Sequence, residues 1–277
     1  MLLVNNRGAL PSDRPFYDKK RNISVAAYRK LSYHVDMKHE KNMLRECNAV
    51  VAGGTGSVGE GIVRNLLSHG ATVIVPYRTE KKRAALEEYV SDVAEDRLHM
   101  VECSLTDEES TTQLKEHLKE NYSQIDIGVA CLGQDYYGYS LHNMPKAHWN
   151  TFMDNNLLTH FNVQHAIVSL MHDQHQGTYV MINGGASEFI APEEGLVSIV
   201  SAAQLMMARV LKQEARATPV RIHSVVAYHP IKTRVRRHEV VPEWYSAEEL
   251  GDYIARLHTQ QVDNWEKTIH RLYSHTD

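Results

Sequence analysis

Eight residues, Ala52-Gly53-Gly54-Thr55-Gly56-Ser57-Val58-Gly59, constrain this chain more than any other stretch. They follow a short apolar run, Ala49-Val50-Val51-Ala52, and open a helix-like segment, Ile62-Val63-Arg64-Asn65-Leu66-Leu67. A strand that turns on glycines into a helix is the setting in which a dinucleotide binds. The glycines meet three demands: a tight turn, close approach of backbone to a pyrophosphate, and hard packing of the new helix on the sheet. The helix start also offers backbone N–H groups and a positive dipole end to phosphates. Gly53, Thr55, Gly56, Ser57, Val58 and Gly59 are therefore the candidate cofactor-binding residues of this turn.

Downstream, short β-branched or alternating runs alternate with helical stretches. Thr72–Val75, Leu98–Cys103, Ile125–Leu132, Thr178–Asn183 and Arg221–Ala227 read as strands. Helices are expected over residues 80–90, from an Asp107 cap to about Asn121, over Phe152–Met171 behind Pro145, and near Glu193–Arg216. Ser246-Ala247-Glu248-Glu249 fits a capping box that opens a final helix. Strands separated by helices imply an α/β fold, a single doubly wound, Rossmann-like domain with a parallel sheet.

A chain of 277 residues with 43% hydrophobic content can bury one full core. A net charge of −4 gives no basic surface for nucleic acid. No run of about 18 apolar residues marks a membrane span. Three single cysteines, Cys47, Cys103 and Cys131, form no framework of pairs, which fits a reducing, cytoplasmic setting. Residues 1–42 are basic and acid-poor, with Arg7, Arg14, Lys19, Lys20 and Arg21 among their cations. They read as a flexible tail or oligomer arm ahead of a domain over 43–277, with organelle import as the alternative.

The choice of cofactor is written at the end of the second strand. Sites that prefer NAD place an acid there for the ribose 2′-hydroxyl. Here the stretch is Pro76-Tyr77-Arg78-Thr79, and the Arg78 guanidinium suits the 2′-phosphate of NADP. NADP is the expected cofactor, and NAD the alternative.

Over nearly all of residues 45–235 the chain resembles the short-chain dehydrogenase/reductase family. The glycine turn has the TGxxGxxG spacing of that family's extended and atypical branches. Cys103-Ser104-Leu105-Thr106-Asp107 is similar to the adenine-contacting turn after strand three, which points to Ser104 and Leu105. Val129-Ala130-Cys131-Leu132-Gly133 resembles the NNAG segment and keeps only its last residue, Gly133. The helix through Trp149 and Asn156 resembles the one that carries the family's structural or catalytic Asn, here Asn156. Tyr228-His229-Pro230-Ile231-Lys232-Thr233 resembles the loop after strand six, where the resemblance places Thr233 on the nicotinamide carboxamide.

The catalytic signature of the resemblance is missing. The family uses a Tyr, with a Lys four residues later, as its proton relay; that requires a phenol tuned well below its free pKa of about 10. Those positions fall on Val197 and Ser201, and the catalytic Ser position falls on Gly184; no Tyr or Lys occurs from Met181 to Val210. Two readings follow. In one, the chain is an NADP(H)-dependent oxidoreductase of a small carbonyl or alcohol whose proton donor has moved, the candidates being Tyr136, Tyr137, Ser187 and Asn156. Gln134, Asp135, Tyr139, His142, Asn183, Glu188 and His229 border the same region. In the other, it is a catalytically silent cofactor-binding regulator or scaffold.

The 17 histidines invite a metal reading, but His165 and His172 are nearly two helical turns apart and no HExxH or paired-cysteine motif exists. Scattered surface histidines are the simpler reading. The helix near Glu193–Arg216 is apolar on more than one face, which calls for a second burial surface. A homodimer or homotetramer through this helix and residues 152–171 is expected, with a small-molecule substrate as the other partner. Arg234 and Arg236 are either solvated or partners of an anionic substrate.

Overall fold

The structure, a computed structural model, describes residues 42–134, 138–190, 194–236 and 241–275. Its strands are β1 (Asn48–Ala52), β2 (Thr72–Tyr77), β3 (Leu98–Glu102), β4 (Ile127–Ala130), β5 (Thr178–Gly184), β6 (Arg221–Ala227) and β7 (Ile269–Leu272). All pair in parallel, in the order β3-β2-β1-β4-β5-β6-β7. The helices are α1 (Gly59–Ser68), α2 (Glu80–Ala94), α3 (Glu108–Asn121), α4 (Lys146–Met153), α5 (Thr159–Asp173), α6 (Gly195–Glu214) and α7 (Ala247–His258). The order reverses between β1 and β4, and that switch point opens a crevice beyond the strands' C-terminal ends.

Alternation along the strands sorts the core into two layers. Val51, Val73, Val75, Ile127 and Val129 join Ile62 and Leu66 of α1 and Leu250 and Ile254 of α7 on one face. Val50, Ile74, Ala130, Tyr179 and Met181 join Leu114 and Leu118 of α3, Ile167 and Met171 of α5 and Leu211 of α6 on the other. Both faces are covered, so the central strands β1, β2 and β4 are buried almost throughout rather than at alternate positions.

Local chemistry sets the helix boundaries. Asp107 caps α3 by accepting the Ser110 N–H at 2.8 Å. Ser246 and Glu249 form the expected capping box of α7, each side chain accepting the other's backbone N–H at 3.1 and 2.5 Å. Helices α1 and α7 pack with almost no space between them: a Cβ on Gly61 would lie 2.4 Å from Ala247 Cβ, and one on Gly251 2.6 Å from Asn65 Cβ.

Two features depart from the sequence expectation. The helix expected over Phe152–Met171 is interrupted by a π-helical turn at Asp154–Leu158, between α4 and α5. Strand β7 was not foreseen, since its four residues Ile269-His270-Arg271-Leu272 gain strand identity only by pairing with β6. Helix α6 is long and apolar enough to cross a bilayer by length and composition, yet one flank lies on β5 and β6 and buries Leu196, Val200, Leu205, Ala208 and Leu211.

The far side of the sheet holds a cluster of neutral histidines. The Lys267 carbonyl accepts from His223 Nδ1 at 3.0 Å and from His270 Nε2 at 2.9 Å, and Tyr253 Oη donates to His270 Nδ1 at 3.0 Å. Burial, with the neighbouring His270, pushes His223 down to about 3; burial pushes His270 and His258 down to about 4. Each value lies below the unfolded value of about 6.5, so the unfolded chain binds more protons in between. Stability is therefore complete above about pH 6.5 and is lost as pH falls toward 4, by at most about 1.4 kcal/mol per pH unit for each ring. Thermal melts between pH 8 and pH 4.5 should show this loss, and His223→Phe should flatten it; an unchanged slope in the variant would remove the cluster as its cause.

Candidate functional site

The turn between β1 and α1 is built around the Gly53 carbonyl. Gly53 has φ +85°, and a Cβ there would lie 2.0 Å from the Cys131 carbonyl oxygen. The Gly53 carbonyl accepts the Gly56 N–H at 2.8 Å and would lie 2.0 Å from a Cβ on Gly59. The Gly56 carbonyl accepts the Glu60 N–H at 2.8 Å, which starts α1. A cradle that any side chain would fill is what an incoming pyrophosphate needs, and the start of α1 adds the positive end of a helix dipole.

Above this turn lies a cleft of about 450 Å³ at the C-terminal strand ends. It brings Gly56, Ser57 and Val58 together with Gly133, Asn156 and Thr233. Its lining also includes Gly184, Val197 and Ser201, the positions onto which the resemblance places the family's Ser, Tyr and Lys. A Cβ on Gly184 would meet nothing within 4 Å, so this wall is open where a catalytic Ser would stand.

Asn156 sits in the π turn and is buried. Its Oδ1 accepts the Gln134 N–H at 2.7 Å, and its Nδ2 donates to the Phe152 carbonyl at 2.8 Å. Its own carbonyl accepts from Gln204 Nε2 of α6 at 2.8 Å. The widened turn thus ties the loop after β4 to α6, a use that suits a π-bulge beside a functional site. His160 of α5 donates through Nε2 to the Leu132 carbonyl at 3.0 Å. Burial outweighs that bond and pushes His160 down to about 4, so it is a neutral prop. Burial also pushes the Cys131 thiol up to about 12, which keeps it protonated in the cleft wall.

The remaining candidates lie around or outside this cleft. Thr233 is buried, and its Oγ1 accepts the Arg236 N–H at 3.2 Å. Arg78 is exposed just past β2, clear of neighbouring carboxylate bonds that take up Arg83. Ser104 and Leu105 are half-buried past β3; the Ser104 N–H is held by Ser110 Oγ at 2.9 Å, and the Leu105 carbonyl accepts from Asn162 Nδ2 at 3.0 Å. Thr55 is half-buried within the glycine turn. Ser187 donates its hydroxyl to the Gly184 carbonyl at 2.8 Å and is not among the residues lining the cleft. Tyr136 and Tyr137, with Asp135, lie outside the described residues. Glu188 is bound by Arg271, which holds its carboxyl below the usual range, and by the Tyr228 hydroxyl.

Arg234 is exposed, but its guanidinium is already paired within the chain. It forms a bidentate pair with Glu60 at 3.0 and 2.9 Å and lies over the Tyr89 ring at 5.0 Å, while Tyr89 donates to Glu248 at 2.6 Å. Lys232 pairs by a β-bridge with Ser246. The segment after β6 is thereby strapped to the first turn of α1. The sequence carried only a faint sign of this, an acid one residue beyond the last glycine. His229 and Arg236 also line the cleft, and neither was among the leading candidates.

Comparison with known proteins agrees with this geometry. The family model for short chain dehydrogenases matches residues 47–242. An uncharacterized oxidoreductase of Staphylococcus saprophyticus is 26% identical over 185 residues, covering 66% of this chain and 77% of that protein. A 3-oxoacyl-acyl-carrier-protein reductase of Haemophilus influenzae is 28% identical over 157 residues, covering 54% and 63%. Among solved structures, a metagenomic short-chain oxidoreductase in complex with NADP superposes with a TM-score of 0.70 at 20% identity, covering 83% of this chain and 97% of that one. A short-chain type dehydrogenase/reductase from Mycobacterium ulcerans gives 0.75 at 16% identity, covering 83% and 89%.

Asn156→Ala should test whether this side chain is a structural tie. It leaves the Gln134 N–H without its acceptor, at a cost of about 1–3 kcal/mol. The melting temperature should fall by roughly 2–10 °C. An unchanged melting temperature would show that the tie is dispensable.

Proposed function

The chain belongs to the short-chain dehydrogenase family, and from that premise we propose that it is an NADP(H)-dependent oxidoreductase of a small carbonyl or alcohol with a relocated proton donor. The observation that carries this is the cleft itself, which joins the glycine cradle to Gly133, Asn156 and Thr233 at the switch point. In this reading the turn at Gly53–Gly59 holds the pyrophosphate, Ser104 and Leu105 border the adenine, and Arg78 takes the 2′-phosphate. Gly133 and Thr233 flank the nicotinamide. Bound NADPH supplies a hydride. The chain's own residues orient the substrate and manage the proton.

A second reading has its own support. Val197 and Ser201 stand in the cleft where the family's Tyr and Lys would stand, and an apolar side chain cannot relay a proton. A silent NADP(H)-binding regulator would have the same cradle and the same gap. The two readings part on turnover alone.

Self-association belongs to the proposal as well. The π turn and helices α5 and α6 leave Leu158, Phe161, Met206 and Val210 exposed, at 38%, 50%, 52% and 47%. Leu158, Phe161 and Met206, with Leu157 and Met207, border a groove. Exposed apolar side chains gathered on two adjacent helices are what a second copy would cover.

Fluorescence titration should give saturable NADPH binding, tighter than NADH, that weakens about tenfold in Arg78→Ala while NADH binding holds. Loss of one bidentate phosphate contact sets that scale. Failure to bind either nucleotide would remove both readings. Sedimentation should find a dimer or tetramer that Phe161→Glu, with Met206→Glu, converts to monomer; a monomeric wild-type protein would remove the interface.

A further inference from the structure

We infer that Arg234 is a positioning residue of the cofactor site, holding Thr233 against the nicotinamide half of the dinucleotide, an inference that rests on the cofactor reading above. Thr233 is buried and lines the cleft. From Tyr228 to Arg236 the chain forms no helix or strand, only a single β-bridge at Lys232. Such a segment takes its place from the scaffold to which it is tied. Thr233 has a tie on each side. On one, the Lys232 N–H donates to the Tyr245 carbonyl at 2.9 Å, and the Lys232 carbonyl accepts the Ala247 N–H of α7 at 3.0 Å. On the other, Arg234 reaches Glu60 of α1 through Nε at 3.0 Å and Nη2 at 2.9 Å.

The second tie is more specific than an ordinary surface ion pair. Glu60 is buried, so its carboxylate has given up water and depends on a partner within the chain. The guanidinium meets it as a fork, a geometry that fixes direction as well as distance. The same guanidinium lies over the Tyr89 ring of α2 at 5.0 Å, and Arg64 of α1 lies 5.2 Å from that ring. Tyr89 is held in turn by the bond of its hydroxyl to Glu248 of α7 at 2.6 Å. Arg64 donates to the Tyr89 carbonyl at 2.7 Å and to Asp92 at 2.6 Å. Arg234 therefore docks the segment on a nest built from three helices.

Both ties end on one rigid pair. Helices α1 and α7 meet at Gly61, Ala247 and Gly251 with no room for another methyl group. The glycine turn that receives the pyrophosphate leads directly into this α1, and Glu60 is the residue after Gly59. The separation between the phosphate cradle and Thr233 is thus set by the chain before any ligand arrives. Preorganisation of this kind spares the ordering cost of binding. Ahead of Thr233 on the same loop, His229 stacks on Trp244 with centroids 6.0 Å apart and planes within 11°. Without Arg234 the segment keeps this stack and the Lys232 bridge but loses its fixed point beyond Thr233. The cradle, made of backbone contacts among Gly53, Gly56 and Gly59, is untouched by that loss.

The test divides the cofactor in two. NADPH carries both halves, whereas 2′-phospho-ADP-ribose carries the phosphates and lacks the nicotinamide. Removing Arg234 alone would also bare the Glu60 charge beside the cradle, so the variant is the double one, Glu60→Gln with Arg234→Ala. Calorimetric titration of the full chain should show it binding NADPH about tenfold more weakly than wild type, and 2′-phospho-ADP-ribose within about threefold. The second value also verifies folding. Arg234→Lys keeps the charge but not the fork; it should weaken NADPH alone, by about threefold, and carries the test should the double variant not fold. Equal weakening of both ligands in a folded variant, or weakening of neither, would overturn the positioning role and leave the cofactor reading standing. A wild-type protein that binds neither ligand would overturn that reading, and the inference with it.

Discussion

The Gly53 carbonyl is the point on which the rest of the molecule turns. It accepts the Gly56 N–H and occupies the space where a side chain on Gly59 would stand. That contact sets the angle at which α1 leaves β1. Everything stacked on α1 inherits the angle: α7 lies on it through Gly61 and Gly251, and the strap after β6 is pinned to its first turn by Glu60 and Arg234. A carboxylate at a helix start is favoured by the dipole, but here it also stands one residue from the phosphate cradle. Arg234 neutralises it. One ion pair thereby removes a repulsion from the cofactor site and holds the far lip of the cleft in place.

What was legible in the sequence was what local chemistry decides. Period and β-branching fixed the interior strands, since a strand buried on both faces must be apolar throughout. The glycine turn was legible because steric exclusion leaves no other residue there. Ser246 and Asp107 declared their helices through caps that need only three or four residues. The misses have the opposite character. The π turn at Asp154–Leu158 is tied by Gln204, 48 residues away from Asn156, which donates to the Asn156 carbonyl. Strand β7 exists because β6 offers it a register. The partner of Arg234 is 174 residues distant. None of these contacts leaves a periodic or compositional trace.

The site was half legible for the same reason. Its cofactor side is backbone geometry, which glycines announce. Its chemical side is a set of side chains from separate strand ends, and these meet only in three dimensions. The absence of the Tyr and Lys pair could be read, because a missing motif is a local fact. The content of the space left behind could not.

That space narrows the chemistry more than the missing residues do. Val197 and Ser201 lie on α6, whose neighbouring surface is committed: Gln204 to the Asn156 carbonyl, and the Ser201 carbonyl to Asn183 Nδ2 at 2.9 Å. Among the described lining side chains of that helix, only the Ser201 hydroxyl and the Gln204 amide carry polar hydrogens. A phenol restored at position 197 would still lack the cation four residues on that lowers its pKa. Strap, β-bridge and indole stacking hold the loop after β6, and the Asn156 side chain holds the start of the loop after β4.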